Sequence, residues 1–361
     1  METFKERYSE HFLQRFVEIV HEHTDHFDER LFHEQVYRND WQELAFKQRI
    51  RRISEALTAA LPLPYEQAVQ LLMQIAPQCR GVEYLFFPDY VELNGLDHVE
   101  LSMKALEVLT VYSSAEFAVR PFILQYPIGM LRQMNIWAQD DNEHIRRLAS
   151  EGFRPRLPWS FQLKPFIADP EPTLAVLEQL KRDSSLYVRK SVANHLNDIA
   201  KDHPERIAEI ARQWYGQHLY TDWIVKHGCR TLLKQDHPQV MQLFGYVASE
   251  TVTISNLQIS AQTVPIGGEI DISFILHNEE DIPQNVRIDY EMQFMKANGQ
   301  QAPKRFRWVS RDFAPGQHEM RKKHSFKLIT TRKYYAGQHH IHLYVNGVQV
   351  GEVSFEVTDA R

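Results

Sequence analysis

The chain has 361 residues, 41 Lys and Arg against 47 Asp and Glu, and a formal net charge of −6. At roughly 100–200 residues per domain, this length predicts about two domains. With 43% hydrophobic and 24% charged residues, the composition excludes a disordered or low-complexity chain, and no window reaches the ~20 uninterrupted apolar residues of a membrane helix.

The charge is unevenly placed. Residues 1–110 hold 11 basic and 19 acidic residues, whereas residues 304–333 hold 10 basic and 2 acidic. A local basic stripe is compatible with a phosphate-bearing partner despite the negative sum. A solvated strand surface accounts for it equally well.

From residue 1 to about 248 the apolar spacing is helical. Helices are predicted over 4–21, 41–61, 64–76, 82–93, 98–111, 115–125, 128–138, 143–151, 171–181, 186–201, 204–215, 220–234 and 238–247. Breakers such as Pro62, Gly95, Pro127, Gly152, Pro170, Pro204 and Pro238 separate them. His144-Ile145-Arg146-Arg147-Leu148-Ala149 aligns with Tyr187-Val188-Arg189-Lys190-Ser191-Val192 at a spacing of 43 residues, and a weaker copy runs Ile224-Val225-Lys226-His227-Gly228-Cys229. An apolar–basic pair near a helix start every ~40 residues predicts a HEAT-like α-solenoid, whose hairpins stack because none buries its apolar face alone.

Near residue 250 the apolar period changes to two. Thr251-Val252-Thr253-Ile254, Ile270-Asp271-Ile272-Ser273-Phe274-Ile275-Leu276 and the face Ile288, Tyr290, Met292, Phe294 read as strands, punctuated by turn signals such as Gly267-Gly268, Asn298-Gly299 and Asn346-Gly347. About seven strands in ~110 residues predict an all-β immunoglobulin-like sandwich. The expected domains are therefore 1–250, all-α, and 251–361, all-β.

No GxGxxG, P-loop, HExxH, CxxC or GxSxG occurs. His21, His23 and His26, and His339, His340 and His342, lie close in sequence but lack partners at metal-ligand spacing, so no metal or other cofactor is expected. Cys79 and Cys229 exclude a disulfide framework, suit a reducing cytosol and are expected to be buried fillers.

Residues 113–203 are the most informative. Glu151 ends a predicted helix beside Gly152, read as a left-handed cap. A carboxylate there faces the negative end of the helix dipole, with Arg147 available as an i,i+4 partner. Glu116 falls in the first turn of 115–125, with Ser113 or Ser114 as cap and Arg120 at i+4. Asp198 joins Asn194 and Asn197 in interrupting an apolar helix, which suits a helix lining a cleft or one with a solvated face. Between the acids runs Phe153-Arg154-Pro155-Arg156-Leu157-Pro158-Trp159-Ser160, a basic, proline-stiffened loop. Its arginines suit phosphates, and its Trp159 suits a base or a cation. A packed inter-repeat loop is the alternative.

The segments Ala115–Phe122, Arg147–Trp159 and Val188–Pro204 resemble the AlkC branch of the AlkC/AlkD DNA glycosylases, and the β-sandwich resembles the immunoglobulin-like domain appended to some AlkC members. The resemblance covers the whole chain. It implies a monomeric, bacterial, cytoplasmic enzyme that removes 3-methyladenine and 3-methylcytosine from duplex DNA without base flipping. By matching position it implies Glu116, Glu151 and Asp198 as active-site acids and Trp159 as the aromatic beside the lesion. Arg154, Arg156, Arg189 and Lys190 would hold phosphates. Thr331-Arg332-Lys333-Tyr334-Tyr335 is the candidate DNA contact of the sandwich. A non-catalytic binder of damaged or branched DNA with the same fold, or a protein-interaction scaffold, would share this architecture.

Overall fold

A computed structural model describes residues 4–38, 40–329 and 332–359. Among them are sixteen α-helices, the last ending at Leu243, followed by eight β-strands. The helical-repeat architecture and the all-β domain after it are thus both present. Among the described residues no helix is long and apolar enough to cross a membrane.

The chain separates into two compact units, Met1–Cys229 and Arg230–Arg361. In the first, helix Pro127–Trp137 pairs with Glu143–Glu151, Glu171–Leu180 with Leu186–Ile199, and Pro204–Trp214 with Leu219–Gly228. The second members stack on one another in that order. Each buries an apolar stripe, exemplified by Ile145, Leu148 and Ala149, then Val188, Val192 and Leu196, then Ile224 and Val225. The helix predicted over 220–234 is broken at Cys229 into Leu219–Gly228 and Arg230–Lys234. The helix Glu29–Val36 was not predicted. Asp28, which caps it by accepting from Leu31 N, was its available signal. Cys79 and Cys229 are both buried.

The second unit is a two-sheet sandwich. Its strands are β1 (Val252–Ile259), β2 (Thr263–Pro265), β3 (Glu269–Asn278), β4 (Gln284–Met295), β5 (Gln301–Phe313), β6 (Gly316–Ser325), β7 (Gly337–Val345) and β8 (Val348–Thr358). One sheet has the order β1-β3-β6 and the other β2-β8-β7-β4-β5. All pairings are antiparallel except β2 with β8. Period-two patterning directs Ile272, Phe274, Leu276, Ile288, Tyr290, Met292, Ile341 and Leu343 into the core.

The contacts divide the chain earlier than the change of apolar period does. Helices Arg230–Lys234 and Pro238–Leu243 belong with the sandwich. Asn285 Nδ2 donates to the Phe244 carbonyl at 2.9 Å, Tyr246 Oη meets Ser310 Oγ at 2.5 Å, and Arg305 pairs with Asp236. Periodicity reports local conformation, whereas these bonds are tertiary.

Candidate active site

Capping sets the register of the repeats. Asn142 Oδ1 accepts from His144 N at 2.9 Å, Ser185 Oγ from Tyr187 N at 3.2 Å, and His218 Nδ1 from Tyr220 N at 3.1 Å. His144, Tyr187 and Tyr220 are therefore equivalent. Arg146 Nη1 donates to the carbonyls of Asp140 and Asp141 at 2.9 and 2.8 Å. Arg189 Nη1 makes the same bonds one repeat later, to Asp183 and Ser184 at 2.9 and 2.7 Å. The third copy consequently starts one helical turn earlier than the predicted 224–229, and Asp222 stands where the first two copies carry arginine.

The acids and arginines form a continuous chain across these helices. Arg147 pairs with Glu116, donates to Ser114 Oγ at 2.9 Å, and lies 3.6 Å from Glu151 Oε1. Arg154 Nη1 donates to Glu151 Oε1 at 2.6 Å, and its Nε donates to Asp198 Oδ2 at 2.8 Å. Ser191 Oγ donates to Glu151 Oε2 at 2.6 Å, and Lys201 Nζ to Asp198 Oδ1 at 3.0 Å. Burial alone would pull the Arg147 and Arg154 guanidiniums down. The flanking carboxylates outweigh it and hold both above their ordinary range.

Glu116, Glu151, Arg154, Trp159, Phe117 and Tyr187 line one cleft of about 470 Å³. Asp198 is buried outside that lining and is joined to it by Arg154, whose Nε donates to Asp198 Oδ2.

Several expectations need correction here. Helix Val119–Gln125 begins after Glu116, which sits in the preceding turn. Ser114 Oγ donates to Glu116 Oε2 at 2.5 Å instead of capping a backbone N–H. The partner of Glu116 is Arg147 and not Arg120, because Arg120 is wholly buried and points to another loop. Gly152 keeps right-handed helical angles, φ −61° and ψ −32°. What requires glycine is close approach, since a Cβ there would lie 2.7 Å from Val119 Cγ2 and 3.0 Å from the Leu148 carbonyl.

The loop of residues 152–161 carries the aromatic. Trp159 is 61% exposed, and its φ of +63° lies in the left-handed region, which costs a non-glycine residue about 1–2 kcal/mol. Such strain concentrates at functional positions. Its ring meets the edges of Phe4 and Phe46, with centroids at 6.0 and 6.2 Å. Beneath the acids, His195 is fully buried and its Nδ1 lies 3.0 Å from the Ser150 carbonyl. Burial and the nearby Arg154 push it down to about 3, so it is neutral at pH 7.

The expected phosphate contacts divide. Arg154 is held inside by two carboxylates, which removes it from the set available to a phosphate. Arg156 is partly exposed and paired with Asp202 at 2.9 and 2.7 Å. Arg189 is turned toward the carbonyls of its own cap, with its guanidinium 4.0 Å from the Tyr220 ring. Lys190 is exposed. In the second unit, Tyr334 is a core residue, packed 5.3 Å from Phe326 and 5.9 Å from Phe294. Arg332 lies over Phe294 at 4.2 Å, while Lys333 is exposed with its Nζ 5.4 Å from the Tyr335 ring. Thr331 lies outside the described residues.

Residues 106–237 match the family model described as DNA alkylation repair enzyme, and residues 253–359 match the Uncharacterised protein YhaZ, C-terminal Ig-like domain. The chain is 42% identical over 358 residues to Uncharacterized protein YhaZ of Bacillus subtilis (strain 168), covering 99% of this chain and 100% of that one. Pseudomonas fluorescens alkylpurine DNA glycosylase AlkC, solved bound to DNA containing an abasic site analog, superposes with a TM-score of 0.95 at 40% identity. That match covers 99% of this chain and 100% of the other. The chain belongs to the AlkC family of DNA alkylation repair enzymes.

In this AlkC-family chain, sequence reasoning missed the pairing of Arg147 with Glu116 and two further residues beside the acids, Ser191 and Tyr187. The 43-residue repeat would have found Tyr187, the equivalent of His144, which also lines the cleft.

Proposed function

We propose that the chain is a monofunctional DNA glycosylase of base excision repair. It hydrolyses the N-glycosidic bond of cationic N3-methylated bases, 3-methyladenine and 3-methylcytosine, in duplex DNA without extruding the base, and leaves an abasic site. It acts as a monomer, one chain per lesion. The observation that carries this assignment is one cleft in which Glu116 and Glu151 lie beside an exposed, strained Trp159. The whole-length likeness to a DNA-bound alkylpurine DNA glycosylase adds support.

N3-methylation makes the base cationic and a good leaving group, so departure needs little acid assistance. It leaves an oxocarbenium-like sugar, which a positioned carboxylate stabilises. Both oxygens of Glu151 are engaged, by Arg154 and Ser191, which suits it to electrostatic stabilisation. Among the described residues, Glu116 Oε1 has no hydrogen-bond partner, so Glu116 is assigned to hold the attacking water. Asp198 acts through Arg154 as a positioning group. The Trp159 face favours a cationic base over its neutral parent by roughly 0.5–2 kcal/mol. Among the described residues no lysine lines the cleft, in keeping with direct hydrolysis and no Schiff base. Arg156 and Lys190 contact flanking phosphates, as do Arg332, Lys333 and Tyr335 of the sandwich.

The test is base release from methylated duplex DNA by the wild type and Glu151→Gln. Release of 3-methyladenine by the wild type alone is expected. Salt-sensitive duplex binding without release by either protein would make the chain a binder of damaged DNA.

A further inference from the structure

Arg120 is a wholly buried cation and, among the described residues, has no carboxylate on its guanidinium. Its Nη1 donates to the carbonyls of Gly152 at 3.0 Å and Arg154 at 2.8 Å, and its Nη2 to that of Phe161 at 2.5 Å. Those carbonyls bracket the loop that carries Trp159. Arg120 also stacks on the far end of the loop, with its Cζ 5.3 Å from the Phe161 ring. Its Nε has no partner among the described residues. Burial and the neighbouring Arg154 push its guanidinium down to about 10. A charge kept in the interior at that cost, and spent wholly on main-chain carbonyls, is unusual: buried cations are normally paired with anions.

We infer that Arg120 is a positioning residue, which ties both ends of the loop of residues 152–161 to helix Val119–Gln125. It thereby holds Trp159 in its left-handed conformation over the cleft and fixes the main chain from which Arg154 reaches Glu151 and Asp198. Helix Val119–Gln125 follows Glu116 directly, so one guanidinium sets the aromatic, the Arg154 bridge and the turn of Glu116 in a single frame. Loops closed by two-residue contacts drift, whereas a planar fork of fixed donors holds several acceptors at once. Lysine has the charge without the fork.

That this frame serves base release rests on the glycosylase assignment; that it presents Trp159 does not. The experiment therefore has two arms, each with Arg120→Lys and Arg120→Gln. In the first, single-turnover base release from methylated duplex is measured at saturating protein, beside binding to abasic-site DNA. Folded Arg120→Lys should release base about 10- to 100-fold more slowly with binding nearly unchanged. The deficit should shrink in a Trp159→Ala background, because part of the effect of Arg120 passes through the loop that carries Trp159. An unchanged rate, or an equal deficit in both backgrounds, overturns the inference. A merely structural Arg120 would lower the melting temperature without this dependence on Trp159.

The second arm reads the loop without the reaction, and so judges Arg120 even if the wild type releases no base. Acrylamide quenching of Trp159 is taken as the difference from Trp159→Phe. It should rise in both Arg120 variants, and unchanged quenching overturns the inference. If neither variant folds, Trp159→Gly and Trp159→Ala decide. Glycine tolerates the imposed φ, so Trp159→Gly should melt higher; equal or lower melting overturns the inference.

Discussion

Two buried ionic clusters, one in each unit, make an instructive pair. In the helical unit Arg154 satisfies Glu151 and Asp198, and the chain of charges opens through Glu116 onto a cleft. In the sandwich, Arg287 and Asp289 pair at 2.5 Å and are equally buried. There, among the described residues, Arg287 Nη1 and Nη2 and Asp289 Oδ1 have no hydrogen-bond partner. Burial of charge is common to both, so burial alone does not mark a site. What distinguishes the first is that both oxygens of Glu151 and of Asp198 are engaged, beside an accessible cavity with a strained aromatic over it.

The comparison can be broken most forcefully at Arg154. Arg154→Ala removes the cation shared by two buried carboxylates and should destabilise the protein by about 3–5 kcal/mol, read from denaturant unfolding. A loss under about 1 kcal/mol would mean that the bridge is not formed in solution. Arg287→Met should also destabilise, yet the folded variant should keep full base release, since neither residue of that pair is among the described residues that line the cleft.

Glu151→Gln keeps the shape of the site and removes the charge. It should slow base release by about 100-fold or more while abasic-site DNA is still bound. A rate within a few-fold of wild type would remove Glu151 from the chemistry.

His195 sharpens the contrast through pH. Its folded pKa is about 3 against an ordinary 6.5, so the folded state resists protonation. The associated stability is complete above pH 6.5 and is lost as pH falls from there toward 3. Between pH 7 and 5 the loss should be about 2 kcal/mol in the wild type and clearly smaller in His195→Gln. Parallel pH–stability curves for the two proteins would contradict the burial of this ring.

The smallest effects belong to the surface. Arg156→Ala, breaking a partly exposed pair with Asp202, should cost under about 1 kcal/mol of stability. It should also lower the slope of log binding constant against log salt by about one ion. Lys190→Ala should give the same salt signature with no stability change. Unaltered slopes in both would place the phosphate contacts elsewhere.

Much of the site was legible because it is local. Glu151, Trp159 and the arginine-rich loop lie within nine residues of one another, and the repeat at His144 and Tyr187 exposed the helix register. The partners of the acids were not legible in the same way. From spacing, Arg120 was the natural i+4 mate of Glu116, but the helix starts later than its sequence suggests and turns Arg120 inward. Tyr334, in a basic aromatic segment that looked like a surface contact, fills the sandwich core because Phe294 and Phe326 offer it an apolar seat.

The sequence by itself determined the two architectures, the place where the apolar period changes, the repeat and the residues worth suspecting, because these follow from periodicity, capping and side-chain chemistry along a short stretch of chain. Tertiary structure alone decided which arginine meets which carboxylate, that Asp198 stands behind Arg154, that Arg120 binds carbonyls and no acid, and that the last two helices join the sandwich. Those outcomes depend on which groups, dozens of residues apart, are desolvated together, and a buried charge takes whatever partner packing brings within reach.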